Sequence, residues 1–287
     1  MSTAPSSPLP SRPASPNPAS SAHDATPIAS ARALRKVYGG GETAVVALDD
    51  VDVDLERGRL TAIMGPSGSG KSTLMHCMAG LDRPTSGEVV VDGDQIGRMS
   101  ERQLTRLRRT RLGFVFQAFN LIPTLTAREN ITLPVDLARG SLDKDWFDEV
   151  IDVVGLRDRL DHRPSELSGG QQQRVACARA LITRPSVVFA DEPTGNLDSV
   201  ASAEVLGFLR RSVDRLGQSV VMVTHEPSTA AYADRALFLA DGRIVGDLAD
   251  PTPDSVLEAL RTHAPVRAGT ADRAGGSSEA ATDQGDR

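Results

Sequence analysis

The chain has 287 residues, of which 39% are hydrophobic and 24% charged, as is usual for a globular protein with a sizeable core. Its formal net charge of -6 argues against a protein that coats nucleic acid, because phosphate binding requires an excess of Lys and Arg. No apolar run approaches the roughly 18 to 20 residues of a membrane helix, and the N-terminus lacks a signal-peptide pattern, so we expect no membrane span.

Both ends of the chain have the composition of tails. Of the first 30 residues, 21 are Ser, Pro or Ala, which bury too little apolar surface to offset the entropy of ordering. We therefore predict tails at residues 1–29 and 264–287, a folded domain at 30–250 and a C-terminal helix at 251–263. The N-terminal arm is interpreted either as a solvated tail or as a site of phosphorylation or partner docking.

The two cysteines, Cys77 and Cys177, are far apart in sequence and have no partners at metal-ligand spacing. This pattern favours a reducing cytoplasm over a disulfide framework or a zinc site. We expect both to be small buried hydrophobic residues without a redox role.

Several segments have the pattern of β-strands. Residues 43–58 and 87–93 combine β-branched residues with flanking turn formers. Residues 59–65, 186–192 and 218–225 are instead short apolar runs that end in a polar group, which is typical of parallel strands covered on both faces. The carboxyl ends of such strands share one crevice.

Helical patterns alternate with these strands. Residues 143–156 form an amphipathic helix of a predicted helical insert, and residues 199–217 form another that stops at Gly217. The basic run at 102–113 is interpreted as a solvated helix face, with a nucleic-acid patch as the alternative. The predicted core residues of the two helices are Trp146, Phe147, Val150, Ile151, Val154, Val205, Leu206, Leu209, Val213 and Leu216. The alternation indicates a wound α/β core.

The segment "GPSGSGKS", residues 65–72, matches the phosphate-loop pattern G-x-x-x-x-G-K-[ST]. It follows an apolar strand and opens a helical run, so free N–H groups and the positive helix end point at bound phosphates. Glycines at 65, 68 and 70 allow the backbone to come close. Lys71 is expected to reach the β and γ phosphates of ATP, and the Ser72 hydroxyl to bind Mg²⁺.

Two acids follow a neighbouring apolar strand, in "VVFADEP". Strand alternation would send Asp191 and Glu192 to opposite sides, but at a strand end both can face the crevice. We assign Asp191 to the magnesium ion and Glu192 to the attacking water. His225, at the end of another strand, is placed near the γ phosphate, where it orients Glu192 or the water.

These motifs, with "FQ" at 116–117, "LSGGQQQR" at 167–174, "GNLD" at 195–198 and "THE" at 224–226, resemble the nucleotide-binding subunit of ATP-binding cassette (ABC) transporters in order and spacing. The resemblance covers roughly residues 30–250. It implies the P-loop NTPase fold of ABC ATPases, with a mainly parallel core sheet, an antiparallel β subdomain and a helical subdomain at about 118–170. It also implies ATP hydrolysis.

The same resemblance implies roles for further residues. Ser168, Gly169 and Gly170 would complete the ATP site of a second copy in a head-to-tail dimer. Gln117 would contact Mg²⁺ or water, and Asp198 would reach the partner's phosphate loop. Tyr38 would stack on adenine, the alternative being a strand aromatic in a small hydrophobic cluster. Together, the residues assigned to nucleotide binding are Tyr38, Gly65, Pro66, Ser67, Gly68, Ser69, Gly70, Lys71, Ser72, Thr73, Ser168, Gly169, Gly170, Gln171 and Asp198. The residues assigned to catalysis are Glu192, His225, Gln117 and Lys71, and those assigned to the metal are Ser72, Gln117 and Asp191.

Two segments, "RTRLGFVFQAFNLIPTLTARENITLPV" and "PTGNLDS", resemble the corresponding sequences of macrolide-exporter, lipoprotein-extraction and cell-division ATPases. This implies a four-helix membrane permease with a large extracytoplasmic domain, engaged from the cytoplasmic face of the cell membrane. We expect an apolar groove for that partner, formed by Phe119, Leu121, Ile122 and Leu125. The alternative is that these four residues belong to the hydrophobic core. An amino-acid-type importer and a soluble cassette ATPase remain as alternatives, and no nucleic-acid partner is expected.

Overall fold

The computed structural model of the protein describes residues 26–263. The strands in this part of the chain are β1 (Ala29–Tyr38), β2 (Val45–Leu55), β3 (Leu60–Met64), β4 (Ser86–Val91), β5 (Asp94–Gln95), β6 (Leu112–Val115), β7 (Val187–Asp191), β8 (Ser219–Val223), β9 (Arg235–Ala240) and β10 (Arg243–Ala249). The α-helices are α1 (Lys71–Met78), α2 (Glu101–Thr110), α3 (Ala127–Leu137), α4 (Lys144–Val154), α5 (Gly169–Leu181), α6 (Ser199–Leu216), α7 (Pro227–Ala230) and α8 (Pro253–Thr262).

The larger sheet has six strands in the order β10-β9-β3-β8-β7-β6. The pairs β9–β3, β3–β8, β8–β7 and β7–β6 are parallel, and only β10 pairs antiparallel at the edge. All residues of β3 and β8 are buried, in agreement with their uninterrupted apolar sequences. Because the parallel strands share one direction, β3, β7 and β8 all end at the same edge of the sheet, as predicted.

The smaller sheet is antiparallel, in the order β2-β1-β4-β5. Together with the large sheet it confirms the predicted mixture of a mainly parallel core and an antiparallel β subdomain. The tail boundary predicted at residue 29 is wrong by at least two residues. Ile28 and Ala29 are buried, and the Ile28 N–H donates to the Leu55 carbonyl at 2.8 Å. Two apolar residues at the end of a Ser- and Pro-rich run gave too weak a signal, and pairing with β2 decides their structure.

The helical insert contains α3 and α4, and the predicted core positions of α4 are confirmed. Phe147, Val150, Ile151 and Val154 are buried, while Trp146 is half-buried and donates from Nε1 to the Leu181 carbonyl at 3.2 Å. Asp143 caps the helix start by accepting from the Trp146 N–H. The insert packs on α5, the helix that Ser168 caps, so a movement of the insert would also move α5.

The remaining helices also follow the sequence pattern. Helix α6 ends at Gly217, whose φ of 64° provides the left-handed conformation of a helix end. Helix α2 buries Leu104 and Leu107 and exposes Arg102, Arg106 and Arg109, as expected for an exposed basic face. Helix α8 lies within the predicted 251–263 segment. Between residues 26 and 263 no helix is long and apolar enough to cross a membrane. Residues 1–25 of the predicted N-terminal tail and the whole predicted tail at 264–287 lie outside the described residues.

Candidate functional site: a phosphate cleft at the carboxyl edge of the sheet

The phosphate loop lies between β3 and α1, lining a cleft of about 710 Å³. Two of its glycines admit neighbouring backbone. A Cβ atom on Gly65 would lie 2.0 Å from the Leu239 carbonyl oxygen, and one on Gly70 would lie 2.3 Å from that of Ala47. Gly70 precedes α1 with φ of 101° and no side-chain cap, so the first N–H groups of the helix are left for a ligand. This arrangement suits an anion such as a phosphate.

Two side chains at the loop also fit a polyphosphate. Lys71 is 8% exposed, and its Nζ donates to the Pro66 carbonyl at 2.8 Å. Burial lowers the pKa of the Lys71 ammonium, although the Glu192 and Asp191 carboxylates oppose that shift. The buried Ser69 hydroxyl has no hydrogen-bond partner among residues 26–263. A cation and an orphaned hydroxyl inside one loop are groups that phosphate oxygens satisfy.

The predicted metal ligands Ser72 and Asp191 come together across the cleft. The Ser72 Oγ donates to Asp191 Oδ1 at 3.2 Å, and both side chains are half-buried. A hydroxyl and a carboxylate are hard oxygen donors of the kind that Mg²⁺ uses beside substrate phosphates, so this pair fits the ion. The imidazole of His76, one helical turn beyond Ser72, lies 3.8 Å from Asp191 Oδ2.

Glu192 faces the same cleft because the strand ends one residue before it. Glu192 has φ of 45°, an uncommon value for a residue with a side chain, and its N–H donates to the Val223 carbonyl at 3.0 Å. This left-handed residue breaks the strand alternation, so Asp191 and Glu192 both lie near Lys71. Glu192 Oε1 is 3.1 Å from Nδ1 of His225. A carboxylate only accepts, which assigns the shared proton to Nδ1.

Tyr38 lies at the end of β1 and is 42% exposed. Its hydroxyl donates to Asp82 Oδ2 at 2.6 Å, and the Lys36 Nζ is 4.7 Å from the ring centroid. Burial, and next the bond to Asp82, raise the pKa of the Tyr38 phenol, while the nearby Thr73 hydroxyl lowers it. One face of the Tyr38 ring is therefore already in contact with the Lys36 ammonium. The bond to Asp82 links Tyr38 to the segment that follows α1.

The second glycine-rich segment begins α5. Ser168 is exposed, and its Oγ accepts from the Gln171 N–H at 3.3 Å while the Gln171 Oε1 accepts from the Ser168 N–H at 2.9 Å. This reciprocal pair is a capping box. Gly170 is buried against α6, where an added Cβ would lie 2.8 Å from that of Ala201. Asp198 caps α6 with its Oδ1, which accepts from the Ala201 N–H at 2.8 Å. Among residues 26–263, this segment contributes no residue to the lining of the phosphate cleft.

Gln117 is exposed and bonds to Asn196 rather than to the other two predicted metal ligands. The apolar residues after it divide into two sets. Ile122 is 39% exposed, whereas Phe119, Leu121 and Leu125 are half-buried. Their loop is held by the buried Asn130, whose side chain bonds the Ile122 N–H at 2.8 Å, and by Arg179, which donates to the Phe119 carbonyl at 3.0 Å.

Both cysteines lie behind these loops and are buried, as predicted. Burial raises the pKa of each thiol to about 12, so neither is a ready nucleophile. Sequence reasoning missed three polar residues that position the site: Asn130, Gln173 and Asn196. A signal for one was present, since Gln173 stands one turn before Cys177 on the buried stripe of α5, where a polar side chain requires internal partners.

Comparisons with known proteins agree with this geometry. The sequence matches the family described as "ABC transporter" over residues 48–195. It is 46% identical over 217 residues to an uncharacterized ABC transporter ATP-binding protein, MJ1508 of Methanocaldococcus jannaschii, covering 75% of this chain and 96% of that protein. It is 44% identical over 216 residues to the macrolide export ATP-binding/permease protein MacB of Bdellovibrio bacteriovorus, covering 75% of this chain and 33% of that protein.

A solved structure is similar over nearly its whole length. It is the dimeric post-hydrolysis state of the ATP-binding cassette MJ0796 bound to ADP and Pi, with a TM-score of 0.69 and 38% identity, covering 77% of this chain and 98% of that one. The chain thus spans nearly all of the cassette relatives but about a third of the MacB relative.

Proposed function

Because this chain belongs to the ABC transporter family and is an ATP-binding, ATP-hydrolysing member of it, we propose that it drives a separate membrane permease from the cytoplasmic face of the cell membrane. The transporter is of the export or mechanotransmission type. The observation that carries the proposal is the convergence of Lys71, Asp191, Glu192 and His225 on one cleft, with a second glycine-rich helix start exposed elsewhere on the subunit.

Within one subunit, the cleft residues divide the work of phosphoryl transfer. Lys71 exchanges the Pro66 carbonyl for phosphate oxygens and stabilises the charge on the transferring group. Glu192 accepts a proton from the attacking water, and the imidazole of His225 holds the carboxylate at 3.1 Å through Nδ1. Tyr38 stacks on adenine with the ring face opposite Lys36.

Magnesium is expected between the protein and the substrate phosphates. Ser72 and Asp191 would hold it, because their oxygens already lie 3.2 Å apart. When bound, the ion would neutralise charge on the phosphates. Gln117 would join this group after leaving Asn196.

The site becomes complete only in a head-to-tail dimer. Ser168, Gly169 and Gly170 present their amides and a helix start to the γ phosphate in a second copy, and Asp198 approaches the partner's phosphate loop. The exposure of Ser168 supports this arrangement, because a residue buried within its own subunit could not bind the phosphate of a partner. The dimeric MJ0796 cassette with ADP and Pi is a relative of suitable architecture.

The permease partner is inferred from the MacB relative, whose name joins an ATP-binding part to a permease. We propose a four-helix permease with a large extracytoplasmic domain, docked where Ile122 is exposed beside Phe119, Leu121 and Leu125. The motion of this loop reaches α5 through Arg179, which bonds the Phe119 carbonyl. Substrate choice then belongs to the permease.

The test is a pull-down from the native membrane fraction with Glu192→Gln and Mg-ATP, followed by mass spectrometry. The variant should trap the closed dimer on its partner, whereas Lys71→Ala, which should bind the nucleotide more weakly, should recover much less of it. A four-helix permease with a large external domain is the expected result. A permease of another architecture favours an importer, and recovery only with nucleic acid or ribosomes overturns the transporter assignment.

A further inference from the structure

Gln117 is held by a two-way bond to the loop that follows Glu192. Its Nε2 donates to Asn196 Oδ1 at 3.2 Å, and the Nδ2 of Asn196 donates back to the Gln117 carbonyl at 3.1 Å. The pair forms a closed ring of two hydrogen bonds between segments 79 residues apart. In this state the side-chain amide of Gln117 is hydrogen-bonded to Asn196.

Gly195 makes room for this arrangement. A Cβ atom at this position would lie 2.7 Å from Gln117 Nε2 and 3.1 Å from its Cδ, so the amide lies directly on the glycine. The backbone of Gly195 is not in the left-handed region, so alanine can adopt its conformation. Any effect of an alanine here therefore comes from the displaced Gln117 side chain.

A buried amide fixes the backbone beneath the pair. Gln173 on α5 is fully buried, and its Nε2 donates to the Pro193 carbonyl at 2.7 Å and to the Phe116 carbonyl at 3.1 Å. Phe116 precedes Gln117, and Pro193 follows Glu192. Both donor hydrogens are used, and the bond to the Pro193 carbonyl is buried, so breaking it is costly. Gln173 consequently fixes the backbone of the loops that contain Phe116 and Pro193. The exposed side chain of Gln117 can exchange partners without moving that backbone.

We propose that Gly195 and Asn196 form a latch that holds Gln117 away from the Mg-ATP site, so that the site must compete with Asn196 for the Gln117 amide. Gln173 is the fixed base of this latch. Asn196 is a positioning residue, since it acts on the reaction through Gln117. The proposal rests on the proposed role of Gln117 at the metal or water.

The test measures binding of a non-hydrolysable ATP analogue by calorimetry, with Mg²⁺ and again with EDTA. A net hydrogen bond contributes about 0.5–1.5 kcal/mol, so Asn196→Ala should tighten Mg-analogue binding roughly 3- to 10-fold. Gly195→Ala should act in the same direction. With EDTA, where Gln117 has no metal to join, both variants should bind like the unmodified protein.

A double-mutant cycle separates the latch from a merely structural effect. Gln117→Ala should weaken Mg-analogue binding, and adding Asn196→Ala to it should change nothing further. If Asn196→Ala leaves affinity unchanged or weakens it, or if its tightening persists without Gln117, the latch is overturned while the role of Gln117 stands. If Gln117→Ala itself binds normally, the latch and the proposed role of Gln117 both fail.

Discussion

Between residues 26 and 263, helices α1 and α5 both start in glycine-rich segments, and they differ in what their first turn contacts. Helix α1 begins after Gly70 with no side-chain cap, beside Lys71 and the Asp191 and Glu192 carboxylates. Helix α5 begins after Ser168, and a capping box between Ser168 and Gln171 pairs the N–H groups of these two residues. The first start therefore lacks a side-chain cap, whereas the second has one and begins at the exposed Ser168.

The difference shows that a helix N-terminus becomes a ligand site through what is left unpaired around it. At α1 no side chain caps the first turn, and among residues 26–263 the buried Ser69 hydroxyl has no hydrogen-bond partner. At α5 a capping box stabilises the helix end, and in the proposed dimer a partner's phosphate would compete with the 3.3 Å bond from the Gln171 N–H. In the proposed head-to-tail dimer each subunit would contribute one part to each ATP site, so two copies would be required.

The largest effect is expected from Glu192→Gln, which removes the general base and keeps the shape of the cleft. Turnover should fall by about 10²- to 10⁴-fold, while ATP binding is retained. Steady-state ATPase assays and an ATP titration check this. Glu258→Gln, an exposed change on α8, is the matched control and should leave both unchanged. Turnover near that of the unmodified protein would refute the role of Glu192.

Lys71→Ala tests whether α1 is the open site. Losing charge-assisted bonds to phosphate, at about 1.5–3 kcal/mol, should weaken ATP binding by roughly 10- to 150-fold. The affinity is measured by titration of the isolated subunit. Lys144→Ala, at an exposed position on α4, is the control and should bind normally. An unchanged affinity in Lys71→Ala would mean that the phosphates lie elsewhere.

Ser168→Arg tests whether α5 serves a partner. The added bulk should weaken ATP-driven dimerisation by about 30-fold or more, as for a central interface residue, and leave ATP binding by the monomer intact. Size exclusion with Mg-ATP reports the dimer, best in the Glu192→Gln background. Ser165→Arg, exposed and three residues earlier, controls for added charge. If the Ser168→Arg dimer forms as before, Ser168 does not act in trans.

Prediction from sequence succeeded where one local pattern carried the information. Strands β3, β7 and β8 and the core of α4 and α6 follow from apolar periodicity, and the phosphate loop follows from its glycine and lysine spacing. It was less successful at position 208, where the buried Phe208 falls outside the predicted stripe of α6. It also placed the start of the fold after Ile28, because the pairing that buries this residue comes from β2.

The sequence by itself determined the identity of the ATPase and the chemistry of its groups, because motifs of fixed spacing specify which atoms a helix start and a strand end present. Only the tertiary structure decided which of those atoms already have a partner within the chain and which face the cleft. Gln117 bonds Asn196 across 79 residues, Glu192 turns into the cleft through a left-handed φ, and Ser168 caps its own helix. Such contacts depend on how separate strands and loops pack, which no local spacing encodes.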